Sequence, residues 1–128
     1  MQRRWFLIVV AAGLTAADLA EKATQPVYGH PRSTTFVVGA AVLTFAIVAF
    51  VPRVPSRALS VVGGVAAAGA LGNLVSALAW RGGIPNPIVV GDVAFNIADV
   101  CAVAGALGLV LGAALFALTH PALLREQI

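Results

Sequence analysis

This chain is short of charge, cysteine and histidine, and each shortage removes a class of function. Of its 128 residues only 10% are charged, eight basic and five acidic, against 60% that are hydrophobic. A soluble domain carries about a quarter charged residues, so the composition, with a mean hydropathy of +0.97, is that of an integral membrane protein. One cysteine, Cys101, permits no intrachain disulfide and is read as a small buried residue. The two histidines, His30 and His120, fall between the apolar runs, so a helical bundle built from those runs has no ligand set for haem or a metal. Neither metal nor cofactor is expected. The formal charge of +3 comes from Lys and Arg in turns, without a basic stripe interleaved with aromatics. It speaks for membrane orientation and against a nucleic-acid partner.

What is present is a set of apolar runs. Met1-Gln2-Arg3-Arg4 precedes thirteen uncharged residues, Trp5 to Ala17, before Asp18 interrupts. A basic start, an apolar middle and small residues near Ala16-Ala17 equally describe a cleaved secretory signal. Retaining the segment gives an even number of spans. Pro26, Gly29 and Pro31 mark a loop between Gln25 and Arg32. Thr34 to Val51 is uncharged over eighteen residues, about 27 Å of helix against a bilayer core of roughly 30 Å. A basic turn from Pro52 to Arg57 follows, then a third run to Trp80. The fourth extends from Phe95 to Thr119, with a short amphipathic tail from His120 to Ile128. The expected architecture is one all-α membrane domain over 1–128, a four-transmembrane-helix bundle with spans at about 5–22, 34–51, 58–80 and 95–119. Gly64, Ala68 and Gly72, and likewise Gly108 and Gly112, form small-residue stripes for close helix packing.

Polar residues inside such runs are costly and are candidate sites for that reason. Gly72-Asn73-Leu74-Val75-Ser76 lies near the end of the third run and Phe95-Asn96-Ile97-Ala98-Asp99 opens the fourth. Antiparallel packing brings both to one end of the protein. Ser76 and Asp99 fall about 6 Å inside their respective helix ends, and each shares a helix face with the asparagine three residues before it. Asn73 and Asn96 also read as plain interhelical hydrogen-bonding residues. In the intervening loop Ile88-Val89-Val90 is a possible short strand. Asp92 stands just outside the next helix, where a carboxylate favours the positive helix end.

The two stretches resemble the Gly-Asn-x-x-Asp and Phe-Asn-x-Ala-Asp motifs of signal peptidase II, the lipoprotein signal peptidase. Asp18-Leu19-Ala20-Glu21-Lys22 similarly resembles the Asp-x-x-Thr-Lys pattern that closes that family's first helix. The second motif is matched at Phe95, Asn96, Ala98 and Asp99; in the first, Ser76 stands where the family has its other catalytic Asp. The resemblance implies a four-helix aspartic endopeptidase of the bacterial cytoplasmic membrane. It would cleave a prolipoprotein before a lipid-modified cysteine, with Asp99 catalytic and Asn73, Asn96 and Lys22 in binding roles. The family's β-cradle and Asn-x-Gly-Ala-Ala-Phe motif have no counterpart in the short first loop, which is followed only by Val38-Gly39-Ala40-Ala41.

The chemistry leaves alternatives open. An aspartic peptidase needs two carboxylates sharing one proton. Ser76 cannot supply one, and no histidine lies in a span to activate it as a nucleophile. Asp18 or Asp92 could provide the second carboxylate, or Ser76 could pair with Lys22. Otherwise Asp99 is structural, hydrogen-bonded to Asn73 or Ser76, in an inactive homologue that binds a lipid-modified peptide or a partner membrane protein, with membrane lipid around it. A small proton-coupled transporter is the third class, but Asp18, about 20 Å above the inner boundary, falls in the outer third of the membrane rather than at the midplane that role requires. Arg3, Arg4, Arg53, Arg57 and Arg125 on one side, against Lys22, Arg32 and Arg81 on the other, predict cytoplasmic termini.

Overall fold

The computed structural model describes residues 1–24 and 28–125. Four long helices account for most of them: α1 (Gln2–Thr24), α2 (Thr34–Phe50), α3 (Arg57–Ala79) and α4 (Ile97–Thr119), followed by a single turn, α5 (Pro121–Arg125). Pro26, expected to break the first loop, and Glu126 of the expected amphipathic tail lie outside the described residues.

Three of these helices are long and apolar enough to cross a membrane: α2 with its 3-10 extension to Arg53, α3 and α4. The protein is therefore a membrane protein by the length and composition of its helices. The 3-10 turn, Val51–Arg53, is where Pro52 ends α2. Ser33 and Ser56 cap the starts of α2 and α3 by accepting from the Phe36 and Leu59 amides, each at 3.2 Å.

Helix α3 is the hub. It packs against α1, α2 and α4, whereas those three make few contacts with one another. Twelve of its residues are buried, nearly all Gly, Ala or Ser. Such small side chains let three neighbours approach one backbone at once. The stripe Gly64, Ala68 and Gly72 receives α1: a methyl on Gly64 would lie 2.7 Å from the Leu7 carbonyl and 2.8 Å from Val10 Cβ. The tightest α3–α4 approach lies elsewhere, at Gly69, where a methyl would fall 2.6 Å from Ala102 Cα, and at Gly105 against Ala66. The outer faces of α2 and α4 remain apolar and exposed, with Val42, Phe45, Val103, Val110 and Leu118 among them. That is the surface lipid would cover.

The segment between α3 and α4 is more structured than an all-α reading expects. Ile88–Val90 forms β1 and pairs antiparallel with β2 (Val93–Phe95) through a two-residue turn in which Gly91 has φ +59. Asp92 sits in this exposed turn, one strand away from α4, so it does not favour that helix's positive end as expected from sequence. The segment leading into the hairpin is tied to the first loop by reciprocal His30–Ile84 backbone hydrogen bonds of 3.1 and 2.9 Å. Gly83, at φ +109, lies so close to the His30 carbonyl that any Cβ would collide with it.

Candidate functional site

The buried residues of α1 are Leu7, Ala11, Thr15, Asp18 and Lys22, spaced three or four apart on one face. Asp18 and Lys22 therefore continue the stripe that packs on α3 and turn away from the surroundings. Both side chains are buried, at 1% and 0% exposure, and they form an ion pair of 2.7 Å one helical turn apart. Space for the carboxylate comes from Gly72, where a methyl would stand 2.7 Å from Asp18 Oδ2.

Each end of this pair reaches a different helix. Lys22 Nζ donates to Asp18 Oδ2, to Ser76 Oγ at 2.9 Å and to Asn73 Oδ1 at 3.2 Å, which uses all three of its protons. Ser76, itself fully buried, donates to the Gly72 carbonyl at 2.6 Å. Asp18 Oδ1 accepts from the Ala98 amide at 2.7 Å. That amide is in the first turn of α4, where N–H groups lack intrahelical partners and carry the positive end of the helix dipole. Asp18 of α1 thus helps cap α4 across the bundle.

Asp99 is fixed by a second arrangement. Asn96 is not a residue within the helix, as its spacing from Asp99 suggested, but the N-cap of α4. Its Oδ1 accepts from the Asp99 amide at 2.9 Å, and Asp99 Oδ2 accepts from the Asn96 amide at 3.2 Å, a reciprocal capping box. The helix begins at Ile97 because Phe95 is held in β2, so Asp99 lies in the first turn rather than a full turn deep. Its Oδ1 accepts from Asn73 Nδ2 at 2.9 Å. Asn73 therefore bridges the lysine and Asp99.

The network extends outward through residues that sequence reasoning missed. Asn96 Nδ2 donates to the Pro85 carbonyl at 3.2 Å and to Asn86 Oδ1 at 2.7 Å, and Asn86 Nδ2 lies 3.2 Å from His30 Nδ1. The Asn-x-x-Asp spacing of Asn96 and Asp99 before an apolar run was the available signal for the cap. Nothing in Pro85-Asn86-Pro87 announces a buried amide.

The structure thus gathers Asp18, Lys22, Asn73, Ser76, Asn96 and Asp99, and leaves Asp92 outside. Asp92 lies near Tyr28 and His30 at the rim, and it makes no hydrogen bond or ion pair among the described residues. Within the cluster the four carboxylate oxygens each accept from an N–H donor: Lys22, Ala98, Asn73 and Asn96. Asp18 is thus held by donors on α1 and α4, and Asp99 by donors on α3 and at the α4 cap. The Ser76–Lys22 contact has hydrogen-bond length, but the ammonium is beside a carboxylate and the serine proton is engaged by a carbonyl. Among the described residues no group of three or more His, Cys, Asp or Glu comes together to hold a metal.

An apolar groove of about 380 Å³ runs from this cluster between α2 and α4, over α3. Phe36, Leu43 and Ile47 form one wall, Ala106 and Leu109 the other, and Asn73 is the polar group along it. Asp99 is only partly buried, whereas Asp18, Lys22 and Ser76 are sealed in.

No protein-family model, curated protein or solved structure matches this chain.

Proposed function

We propose that this protein is a signal-peptidase-II-like membrane protein that binds a lipid-modified peptide without cutting it. The observation that carries this reading is the position of Lys22. Where the resemblance calls for a second carboxylate at Ser76, a buried ammonium donates to the serine hydroxyl and is itself neutralised by Asp18. The groove leading to Asn73 supports the binding half of the reading, since its walls suit an acyl chain and the half-buried Asp99 lies beside its polar member.

In this reading α1 is a fourth span: its charged pair faces inward and is compensated, while Trp5, Phe6, Ile8 and Val9 face outward. Lys22, buried within a helix, ceases to count as a loop charge. Five arginines at one end then stand against Arg32 and Arg81 at the other, and the termini are cytoplasmic in a bacterial-type inner membrane. Reporter fusions after Arg53 and at the C-terminus are expected to read cytoplasmic, and fusions between Arg81 and Val90 extracytoplasmic.

The test of function uses a lipobox precursor with its cysteine diacylglyceryl-modified. Purified protein is expected to retain it on a pull-down and leave it intact, and Ala106→Phe, which fills the groove, is expected to lose retention. Ser76→Asp is expected to leave the precursor intact as well, because the added carboxylate is sealed beside the Lys22 ammonium. An unlipidated precursor retained as well as the lipidated one would contradict the reading.

A second reading rests on the 2.9 Å Lys22–Ser76 contact: a serine nucleophile with a lysine base. It requires Lys22 to give up its proton next to Asp18 and a fully buried hydroxyl to meet substrate. Fluorophosphonate labelling that disappears in Ser76→Ala would favour it; no labelling is expected.

A further inference from the structure

The opposite end of the bundle carries its own constellation. Helices α1 and α2 contact each other little, and between them near the amino terminus lies a crevice of about 330 Å³. Its floor includes buried Leu7 and Pro52, its sides Ile8, Phe45 and Val48, and its charged members are Arg4 and Arg53. The floor and sides are apolar and face the region lipid would occupy.

The arginines of this end divide into two sets. Arg3 donates to the Val54 carbonyl at 2.9 Å and Arg57 to Gln2 Oε1 at 3.2 Å, contacts that tie the start of α1 to the turn between α2 and α3. Arg4 and Arg53 make no protein hydrogen bond or ion pair among the described residues; the Arg53 guanidinium lies over the Phe50 ring at 4.8 Å. Asp18, Glu21, Asp92 and Asp99 all belong to the other end of the bundle, so no described carboxylate competes for these two guanidiniums. Paired cations at the mouth of an apolar slot are complementary to a phosphate carried on a hydrocarbon chain.

We propose that this crevice binds an anionic glycerophospholipid, its phosphate between Arg4 and Arg53 and one acyl chain lying against Leu7, Ile8 and Phe45. The proposal rests on the protein being in a membrane and is independent of what the Lys22 cluster does.

The test is native mass spectrometry of the full-length protein, delipidated in a neutral detergent and offered phosphatidylglycerol or phosphatidylcholine with identical chains. Retention of phosphatidylglycerol is expected to exceed that of phosphatidylcholine by about 10-fold. Arg4→Gln with Arg53→Gln is expected to bring the two to parity, whereas Arg32→Gln with Arg81→Gln, an equal loss of charge at the other end, is expected to preserve the preference. Ala49→Phe is expected to reduce phosphatidylglycerol retention with both arginines in place, and excess glycerol 3-phosphate is expected to leave bound lipid undisturbed. Circular dichroism confirms that each variant is folded. Parity in the wild type would overturn the proposal, as would equal losses in the two double variants. Displacement by free glycerol 3-phosphate would also overturn it, in favour of a simple phosphate site.

Discussion

The two ends of this bundle handle charge in opposite ways. At the end that holds the hairpin, Asp18 and Lys22 are sealed inside and every polar atom of Lys22 is spoken for. At the amino-terminal end the arginines are accessible and two lack a protein hydrogen-bond partner among the described residues. A lysine and an arginine counted alike in a charge tally therefore belong here to different physical problems. Burying an ammonium costs several kcal/mol in desolvation and is sustained only by compensating partners, whereas a guanidinium at the interface keeps water or a phosphate beside it.

Lys22 is the residue on which the buried end depends most. Lys22→Met leaves Asp18 buried without its counter-ion and removes donors from Ser76 and Asn73, so unfolding in detergent micelles is expected to lose about 3–5 kcal/mol. Asp18→Asn combined with Lys22→Met is expected to be less damaging than Lys22→Met alone, because no uncompensated charge remains. Gly72→Ala comes next: its methyl would stand 2.7 Å from Asp18 Oδ2 and 2.9 Å from Ala98 Cβ. Overpacking of this kind is expected to cost about 1–3 kcal/mol in the same assay. Asn96→Ala removes the cap of α4 and is expected to cost about 1 kcal/mol. Asn96→Asp, which still accepts from the Asp99 amide but cannot donate to Asn86, should fall between it and wild type. At the other end, Arg4→Gln and Arg53→Gln are expected to change lipid-free stability by no more than about 0.5 kcal/mol each. A loss at Arg4 as large as that at Lys22 would erase the contrast between the ends.

The helices were legible in the sequence because apolar length is a local property. The runs expected at 34–51, 58–80 and 95–119 correspond to helices whose ends shift by only a residue or two. Those shifts have local causes: Pro52 ends α2, and Asn96 with β2 delays α4. Ile88-Val89-Val90 was recognisable as a possible strand, but its partner Val93–Phe95 was not, and Phe95 was taken as the start of the fourth helix, since three residues of strand carry no periodicity of their own. The cluster was legible in part. The motif positions brought Asn73, Ser76, Asn96 and Asp99 to one end, but the rotation of α1 that turns Asp18 and Lys22 onto α3 depends on cross-helix packing at Gly64 and Gly72. The spacing within α1 puts Leu7, Ala11, Thr15, Asp18 and Lys22 on one face, but in a helix uncharged from Trp5 to Ala17 it does not say which face is buried. The small-residue stripes were visible as stripes, while the assignment of Gly72 to α1 and of Gly69 and Gly105 to the α3–α4 contact needed the packed bundle.

The Lys22 ammonium, bound to Asp18, donates to Ser76, the position where the resemblance calls for the second catalytic carboxylate, and the proposal that the site holds a lipidated peptide without hydrolysing it rests on that contact. The most direct measurement is the rate at which purified wild-type protein, reconstituted in lipid, cleaves a diacylglyceryl-modified lipobox precursor, with Asp99→Asn run alongside. Wild type and Asp99→Asn are both expected to stay at the background rate. Steady turnover by the wild type, abolished in Asp99→Asn, would contradict it.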